Sequence, residues 1–415
     1  MMNNNPPHYP DKIDRIAVRS FGVNAGLLEK PAEHSFRYSD NNPISLTMPY
    51  KKEPYKYGAL LPIFAQNLPE GAIRTFLRDK LIKANKDIRF DDMYMLALQF
   101  GNAIGHLSFG SAIAQPQSKP ITLDEVLNYQ GKDRIFESLL ERYYLHGVAS
   151  GMQPKVLIPA TTDGKGVEQQ RATVQTNEYI VKTFDDDYPL LTVNEFVCMQ
   201  AAKACGLNPP ACFLSEDLRT YAVKRFDITP NGKIGVEDFT VLTGADNTQE
   251  AKYQSSYETV MNMTARYTAN NPLELRTMYS YIVFCMLIGN GDAHLKNFSL
   301  TYDKPYGDVK VSPLYDVTHT PIYKDIANES ALKINGNRVW PSHANLVAFG
   351  EAFGVAKPER IIEKFADLIS DYLKQSDEVK LFDGLRASIE KSLNIAKVGV
   401  YTSTGYTHRK KKKYE

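Results

Sequence analysis

The chain has 415 residues, of which 43% are hydrophobic and 23% are charged, and its formal net charge is +1. This length favours two or three domains or lobes over a single core, and the composition is ordinary for a soluble globular protein. The small net charge argues against a surface built as a whole to bind nucleic acid, so any such contact would be local or made through a partner.

The N-terminal stretch "MMNNNPPHYPDKIDR" is polar and contains prolines, unlike a signal peptide, and residues 1–11 are expected to form a disordered leader. The longest apolar run, "YIVFCMLIG", has about half of the length that a membrane-spanning helix needs. The four cysteines form no CxxC pair, which predicts buried structural thiols in a reducing compartment. We therefore expect a cytoplasmic protein that does not contact a membrane.

Residues 12–115 are predicted to form a small α+β unit. "IDRIAVRSFG" and "SFRYSDNNPISLTM" have the pattern of strands with turns between them. "LPEGAIRTFLRDKLIKAN" predicts a helix whose apolar positions recur at helical spacing, namely Ile73, Phe76, Leu77 and Leu81. A polar connection follows, in which Thr122 is expected to cap the helix "LDEVLNYQ".

Residues 116–226 are predicted to form a mixed, mostly antiparallel sheet with one helix. A glycine-bearing turn in "HGVASGMQPKVLIPAT" leads into a strand, and "TNEYIVKTFD" and "TYAVKRFDI" are further strands. Between the last two lies the helix "TVNEFVCMQAAKACGLNPP", which Thr192 is expected to cap and Gly206 to end.

Residues 227–400 are predicted to form a helical lobe, because their long segments show helical periodicity. These segments are "SYETVMNMTARYT", "PLELRTMYSYIVFCMLIG", "PERIIEKFADLISDYLKQ" and "VKLFDGLRASIEKSLNIAKV". The strand-like "NFSLTYD" and "DVKVSPLYD" interrupt them. Residues 401–415 form a basic tail that contains "HRKKKKYE" and is expected to be disordered.

The stretch "LIGNGDAHLKNFSL" places an Asp, a His, a Lys and an Asn directly after an apolar segment. Asp292 and Asn297 have the D-x-x-x-x-N spacing of a protein-kinase catalytic loop. Phosphoryl transfer needs a carboxylate to accept or orient the hydroxyl proton and an amide oxygen to hold Mg²⁺, and one tight loop can supply both. Taken alone the spacing is a weak signal, because Asp292 could simply cap a turn.

Other features complete a kinase-like order along the chain. Asp316 comes nineteen residues after Asn297 and is expected at the end of a strand, where a kinase places a second metal-binding Asp. Upstream, Lys182 ends the strand "EYIVK", from which it could reach the α- and β-phosphates, and Glu195 on the next helix could pair with it. Earlier still, "GVASGMQPK" could cover phosphates with backbone N–H groups. Each feature alone could be a surface charge or a turn, whereas their order favours a kinase.

The motifs "LIGNGDAHLKNFSL" and "LYDV", preceded by "HGVASGMQPK", "VNEF" and "VKRFD", resemble those of the HipA toxin family of serine/threonine kinases. The resemblance covers about residues 12–400, and the run from Asp292 to Ser299 is its most specific part. It implies an α+β, two-lobe protein-kinase-like fold. An extra N-terminal subdomain (12–115) would precede a β-rich N-terminal lobe (116–226) and an all-helical C-terminal lobe (227–400).

The resemblance also implies roles for individual residues. Asp292 would be the catalytic aspartate, and His294 and Lys296 would complete the catalytic loop, with Lys296 steadying the charge of the transferred phosphate. Asn297 and Asp316 would hold Mg²⁺.

Further residues would bind ATP by the same resemblance. In the hinge, Lys224 and Phe226 would offer backbone groups to adenine, and Asp227 would lie near the ribose. Lys182, supported by Glu195, would contact the phosphates. The glycine-containing loop over the phosphates would contribute Val148, Ala149, Ser150, Gly151 and Lys155.

One position departs from the best-known family members, in which a serine seven residues before the loop lysine becomes autophosphorylated and shuts the enzyme off. Val148 occupies that position here, and Ser150, five residues before Lys155, is the only serine of the loop. Whether Ser150 is a displaced acceptor or a turn residue stays open.

The family's toxins are typically neutralised by a small helix-turn-helix antitoxin, HipB, that also binds operator DNA. The resemblance therefore implies a HipB-like partner, with DNA contacted indirectly through the complex. Known substrates of the family include aminoacyl-tRNA synthetases, which makes such an enzyme a candidate protein substrate.

Two alternatives stay open. Aminoglycoside and choline kinases share the Asp-x4-Asn loop, so the chain could be a small-molecule phosphotransferase, which would label small molecules and no protein. It could also be a pseudokinase that acts by binding an antitoxin and DNA, which would fail to bind Mg-ATP. A short helix-turn-helix gene beside this one would establish the toxin–antitoxin context.

Overall fold

In the residues that the structure describes, the sequence folds into four antiparallel sheets, one of them a two-stranded hairpin, and a set of helices, seen here in a computed structural model. The structure describes residues 9–69, 71–100, 102–113, 122–129, 172–175, 179–183, 188–246, 248 and 250–398. Among these residues no helix combines the length and the apolar character needed to cross a membrane.

The N-terminal unit is a five-stranded sheet packed against short helices. Its strands lie in the order β4-β3-β2-β1-β5, and each neighbouring pair is antiparallel. The strands are β1 (Arg15–Ser20), β2 (Val23–Glu29), β3 (His34–Tyr38), β4 (Tyr55–Tyr57) and β5 (Leu107–Gly110). The helices are α1 (Pro62–Ala65), α2 (Gly71–Ala84) and α3 (Asp92–Ala97). The apolar positions predicted for α2 are all buried: Ile73, Phe76, Leu77 and Leu81.

A second sheet and one long helix follow. After α4 (Leu123–Leu127), which Thr122 caps as predicted, the strands lie in the order β6-β7-β9-β8, all antiparallel. They are β6 (Ala172–Gln175), β7 (Tyr179–Thr183), β8 (Cys212–Leu214) and β9 (Thr220–Lys224), with α5 (Leu191–Ala204) inserted between β7 and β8. This confirms the predicted antiparallel sheet with one helix.

The predicted cap of α5 is wrong, whereas its predicted end is right. Leu190, in the left-handed region at φ 56°, precedes the helix, and Thr192 lies inside the first turn. The Thr192 hydroxyl donates instead to the Leu218 carbonyl, which ties the helix to the β8–β9 connection. At the other end Gly206 takes φ 79°, a conformation that Gly adopts at little cost.

The C-terminal lobe is mainly helical, but the prediction of an all-helical lobe needs correction. Its helices are α6 (Phe239–Thr243), α7 (Tyr257–Tyr267), α8 (Pro272–Ile288), α9 (His343–Ala352), α10 (Pro358–Gln375) and α11 (Leu385–Val398). A hairpin of β10 (Ile228–Thr229) and β11 (Gly232–Lys233) opens the lobe. A three-stranded sheet of β12 (Gly235–Asp238), β13 (Ser299–Tyr302) and β14 (Lys310–Val311) then lies beside the helices. Strand pairing satisfies the backbone of the two segments that read as strands in the sequence.

Buried polar contacts fix the N-terminal unit to the rest of the protein. Glu237 of β12 is fully buried and accepts hydrogen bonds from the Leu46 N–H at 2.7 Å and the Ser45 hydroxyl at 2.8 Å. Arg225, just past β9, donates to the carbonyls of Asn102 and Ala103 at 2.9 and 2.8 Å. Bonds of this kind are costly to break when buried, so the N-terminal unit has a defined position against both lobes.

Candidate active site

Helix α8 ends at Ile288, and the polar loop of residues 290–297 follows it almost directly. Gly289 stands at the C-cap with φ 77°, and its N–H bonds back to the Met286 carbonyl. A Cβ added to Gly289 would lie 2.7 Å from Ser392 Oγ and 2.9 Å from His319 Nδ1, so the close approach as well as the backbone angle requires glycine. Helix α8, whose residues from Met278 to Ile288 are all buried, is therefore a rigid support for residues 290–297.

Asp292 is held in place from two sides. Its side chain is largely buried and accepts a hydrogen bond from the Tyr253 hydroxyl at 2.8 Å, and its backbone N–H donates to Asn290 Oδ1 at 3.1 Å. His294 lies fully buried beneath the same tyrosine, with the two rings 5.0 Å apart in an edge-to-face arrangement. Tyr253 thus contacts two of the predicted catalytic residues, although the sequence reasoning did not single it out.

A continuous line of contacts joins four predicted residues that come from four separate segments. Lys182 Nζ of β7 lies 2.7 Å from Glu195 Oε1 of α5 and 2.6 Å from Asp316 Oδ1. The other oxygen of Asp316 accepts a hydrogen bond from Asn297 Nδ2 at 3.0 Å. Lys182 and Glu195 are both buried, which makes the ammonium group and the carboxylates strongly dependent on one another.

Asp316 does not end a strand as predicted. It lies five residues beyond β14, in an extended segment without ladder partners, and its φ of 58° falls in the left-handed region. Asp tolerates this region better than most residues do, and such angles cluster at functional sites. The turn directs the carboxylate toward Lys182 and Asn297.

A cavity of about 270 Å³ lies beside this line of contacts. Its ceiling includes Ile180 and Val223 of the second sheet, and its inner end includes Lys182, Lys296 and Asp316. The hinge and β12 contribute further lining residues, namely Lys224, Arg225, Phe226, Asp227, Val236 and Asp238. Apolar walls with a few convergent charged groups at one end suit a ligand that has a flat apolar part and an anionic part.

Lys224, Phe226 and Asp227 of the hinge line this cavity, but their polar groups are not equally available to a ligand. The Lys224 N–H donates to the Ala211 carbonyl at 2.8 Å and is therefore committed to the protein. The Phe226 ring packs against Tyr315 at 5.6 Å. Asp227 is buried, accepts two hydrogen bonds from Arg225 and accepts a third from the Gly105 N–H. Asp227 thus fixes the hinge to the N-terminal unit, and its predicted contact with ribose stays a prediction.

Lys296 and Asp238 share the cavity and influence one another. Burial raises the pKa of Asp238, and the nearby Lys296 ammonium opposes that shift. The Asp238 carboxylate also caps α6 by accepting the N–H groups of Thr240 and Val241. The Lys296 carbonyl accepts the Tyr315 hydroxyl at 2.8 Å, which fixes the loop next to Asp316.

The oxygen atoms of Asp316 and Asn297 fit a hard divalent cation, provided that the Asn297 carboxamide turns over. Carboxylate and amide oxygens are the ligands that Mg²⁺ prefers, and neighbouring ligands in its octahedral shell lie about 3 Å apart. Asn297 presents its nitrogen to Asp316, while its oxygen accepts the His294 N–H at 3.1 Å. The carboxamide would have to turn over for its oxygen to face the cation. Within the described residues no group of three or more His, Cys, Asp or Glu side chains could hold a metal ion.

A second support, which the sequence reasoning did not identify, joins α5 to the segment after Asp316. The Asn194 carboxamide accepts the His319 N–H at 2.7 Å and donates to the His319 carbonyl at 2.8 Å. The His319 ring lies between the Ile288 carbonyl and the Ser388 hydroxyl, and burial lowers the pKa of this histidine to about 4. Asn194 is part of "VNEF", the motif that also contains Glu195, so its position beside the glutamate was the available signal.

The structure leaves one predicted element undescribed. Val148, Ala149, Ser150, Gly151 and Lys155 lie outside the described residues. Asp292, His294, Asn297 and Glu195 do not line the cavity itself, but contact residues of the site through Tyr253 or Asp316 and Lys182.

Comparisons with known proteins find two matching families and several similar proteins. The family described as "HipA-like C-terminal domain" matches residues 147–373, and the family "HipA N-terminal domain" matches residues 16–110. A Haemophilus influenzae protein named "Putative kinase" is 28% identical over 265 residues, which make up 56% of this chain and 73% of that protein. The serine/threonine-protein kinase toxin HipA of Shewanella oneidensis is 25% identical over 303 residues, which make up 65% of each chain.

A solved structure has the same fold. A chain in the Shewanella oneidensis MR-1 complex of HipA, HipB and operator DNA matches with a TM-score of 0.67 and 19% identity, covering 92% of this chain and 97% of that chain. The match confirms the predicted α+β, two-lobe kinase-like fold.

Proposed function

Because the chain belongs to the HipA family, we propose that it is a protein serine/threonine kinase that uses ATP and Mg²⁺. The observation that carries this proposal is the line of contacts Glu195–Lys182–Asp316–Asn297, which four distant segments build at the end of one cavity. A structural ion pair would need neither the neighbouring cavity nor Asp292 nearby in the same loop as Asn297. Phosphoryl transfer needs all of these groups, since its catalysis consists of positioning and charge stabilisation.

Lys182 is the residue that would bind the phosphates. Glu195 and Asp316 hold its ammonium group at the cavity end with contacts of 2.7 and 2.6 Å. Fixed in this way the positive charge stabilises developing negative charge without reorganisation, which is the condition under which electrostatic catalysis is strong. Lys296, which also lines the cavity, would add a second positive charge.

Asp292 is the residue that would orient the acceptor hydroxyl and take its proton. The Tyr253 hydroxyl occupies one carboxylate oxygen and fixes the orientation of the group. A carboxylate fixed within hydrogen-bond reach of the attacking oxygen is a general base of the kind that kinases use. The new bond would join that oxygen to the γ-phosphorus, the bond to the bridging β–γ oxygen would break, and ADP would leave.

Asn297 and Asp316 are the residues that would hold Mg²⁺. When bound, the cation would supply charge neutralisation of the phosphates. Asp316 is already fixed by Lys182 through one oxygen, so its other oxygen would face the ion, joined by the Asn297 amide oxygen once that carboxamide has turned over.

Label transfer into a cell lysate tests the kinase proposal. Wild type, Asp292→Asn and Asp303→Asn would be incubated with γ-labelled ATP and Mg²⁺, and the protein and small-molecule fractions counted separately. Asp303 is an exposed aspartate, so its amide variant matches the chemical change outside the site. We expect labelled protein with wild type and Asp303→Asn and at least a hundredfold less with Asp292→Asn. Equal labelling by all three would refute the proposal, and label confined to small molecules would indicate a small-molecule phosphotransferase.

We further propose a HipB-like helix-turn-helix antitoxin as partner and a protein substrate for which an aminoacyl-tRNA synthetase is the first candidate. The likeness in fold to the HipA chain of a complex with HipB and operator DNA supports such a partner. Operator DNA would be contacted indirectly through the complex. Co-expression with the neighbouring reading frame followed by co-purification would test the partner, and identification of the labelled lysate protein would test the substrate.

A further inference from the structure

The N-terminal unit forms one wall of the cavity that the proposed function assigns to ATP. Asn67, Leu68, Ile73 and Ile104 of this unit are among the lining residues, together with side chains of both lobes. A two-lobe kinase core on its own would supply only the ceiling, the floor and the hinge. In this protein a third body closes the cavity at the hinge.

This wall has a fixed position. The Gln66 carboxamide donates to the Val236 carbonyl at 3.1 Å and accepts the Asp238 N–H at 3.2 Å, so both of its ends are bonded to the backbone of β12. On the hinge side, Arg225 donates to the Ala103 carbonyl and the Gly105 N–H donates to Asp227. Residues 66–69 and 103–105 are therefore held against the cavity by the lobes themselves.

Asn67 differs from the other polar side chains of this wall. It is 5% exposed, and its Oδ1 accepts the Ile104 N–H at 2.9 Å. Its amide nitrogen, in contrast, has no acceptor within the part of the chain that the structure describes, and it has almost no accessible surface, so a small rotation of the side chain must turn it toward the cavity. Gln66 uses both ends of its amide, and Gln99 donates to the Met95 carbonyl. A buried donor without an acceptor is unfavourable, and native proteins usually keep one where a ligand or water completes it.

The position of Asn67 indicates which part of a nucleotide it would meet. Lys182, whose ammonium group suits phosphates, and Asp316, which would hold the cation, contact one another and both line the cavity. Asn67 lies on the wall that is bonded to Arg225 and Asp227 of the hinge, with the apolar Leu68 and Ile104 as neighbours. An amide donor among apolar side chains at the hinge suits the uncharged half of the ligand, the nucleoside.

We propose that Asn67 is a nucleotide-binding and specificity-determining residue whose Nδ2–H donates a hydrogen bond to an acceptor on the base or the ribose of ATP. The proposal rests on the proposed function, because it takes the cavity to be the ATP site. It gives the N-terminal unit a direct part in selecting the nucleotide. A site that offers a buried donor discriminates strongly against ligands that lack the matching acceptor.

Calorimetric binding of a non-hydrolysable ATP analogue with Mg²⁺ to the full-length chain tests this role without depending on a protein substrate. Asn67→Asp removes the donor and keeps the oxygen that accepts the Ile104 N–H. Asn42→Asp is the control, because Asn42 is a half-buried asparagine of the same unit outside the cavity. We expect Asn67→Asp to weaken binding about tenfold or more and Asn42→Asp to leave it unchanged.

The outcomes of that experiment distinguish the role of Asn67 from the kinase proposal itself. Equal affinity of wild type and a folded Asn67→Asp would overturn the role of Asn67 while leaving the kinase proposal intact. Absence of binding by wild type would instead overturn the kinase proposal, and the inference with it. If Asn67→Asp does not fold, as judged by its thermal unfolding, Asn67→Ala is measured against the same criterion.

Nucleotide analogues identify the acceptor. Wild type and Asn67→Asp would be compared with 1-deaza, 3-deaza, 7-deaza, 2′-deoxy and 3′-deoxy forms of ATP. The analogue that lacks the acceptor bound by Asn67 should bind the two proteins with similar affinity, since the hydrogen bond is absent from both. A ratio of affinities that is the same for every analogue would overturn the assignment.

Discussion

Lys182 and Asp316 are 134 positions apart in the chain, yet Nζ of one lies 2.6 Å from Oδ1 of the other. Glu195 contacts the same ammonium group at 2.7 Å, so one buried cation faces two carboxylates. Such an arrangement costs desolvation energy and adds little net stability, which makes function the better explanation for its presence. The site thus depends on the relative position of the second sheet, α5 and the extended segment that carries Asp316.

Replacing Lys182 tests this dependence. Lys182→Met would leave Glu195, whose side chain is 2% exposed, without the cation that it contacts. We expect a loss of about 3 kcal/mol in the free energy of unfolding, measured by urea titration, and loss of detectable ATP-analogue binding by calorimetry. Lys203→Met, on the exposed side of the same α5, should leave both unchanged. Unaltered nucleotide binding by Lys182→Met would contradict the role of this residue.

Tyr253 offers a milder test, because its hydroxyl fixes Asp292 without being part of the phosphoryl-transfer chemistry. Tyr253→Phe removes one hydrogen bond and keeps the ring against His294. We expect a threefold to tenfold fall in the initial rate of label transfer, which corresponds to about 1 kcal/mol, with unchanged affinity for the ATP analogue. Tyr267→Phe, at the end of the following helix α7, serves as the control. A rate equal to that of wild type would show that Asp292 does not need this support.

The residues of the site could be predicted from sequence because they lie in short motifs with fixed spacing. Asp292 and Asn297 share one loop, and Lys182 and Glu195 follow strand and helix patterns that periodicity reveals. Tyr253 gave no such signal, since it lies in a polar connection and only the folded chain brings it into contact with Asp292. The N-terminal wall could not be predicted either, because contacts between units that no local pattern encodes bring Asn67 to the cavity.

Two errors in the predicted ends of helices and strands have identifiable physical causes. Thr192 was expected to cap α5, but Leu190 takes the left-handed conformation before the helix and the Thr192 hydroxyl bonds to Leu218 instead. Tertiary contact here overrides the capping preference of threonine. Asp316 was expected at a strand end, yet β14 stops at Val311; the Ser312 N–H still bonds to the Ser299 carbonyl, but Pro313 has no N–H with which to continue the pairing.

Asn194 allows a test of how α5 is aligned with the site. Asn194→Ala would leave the buried N–H and carbonyl of His319 without their side-chain partners. We expect a loss of about 2–4 kcal/mol in the free energy of unfolding, measured by urea titration, because two buried polar groups lose their hydrogen bonds. The rate of label transfer should also fall, since Glu195 is the next residue on the helix. Gln200→Ala, a half-buried position of the same helix, is the control, and equal effects of the two variants would contradict a special role for Asn194.

Glu237 makes the stability of the protein depend on pH. Burial raises the pKa of this carboxyl from 4.5 to about 7, although Tyr302, Leu46 and Ser45 donate hydrogen bonds that oppose the shift. Between these two values the folded protein keeps a proton that the unfolded chain releases. The contribution is therefore fully present below about pH 4.5 and is lost as the pH rises through 7.

Comparison with Glu237→Gln isolates this effect. The glutamine cannot titrate, its oxygen can accept from Leu46 and Tyr302, and the Ser45 hydroxyl can turn to accept from its amide. We expect the free energy of unfolding of wild type, relative to that of Glu237→Gln, to fall by about 3 kcal/mol between about pH 5 and pH 8. Because this carboxyl accepts the Leu46 N–H, the hydrogen-exchange protection of that amide, corrected for the intrinsic pH dependence of exchange, should fall over the same range. A difference between the two proteins that does not change with pH would show that Glu237 is ionised throughout.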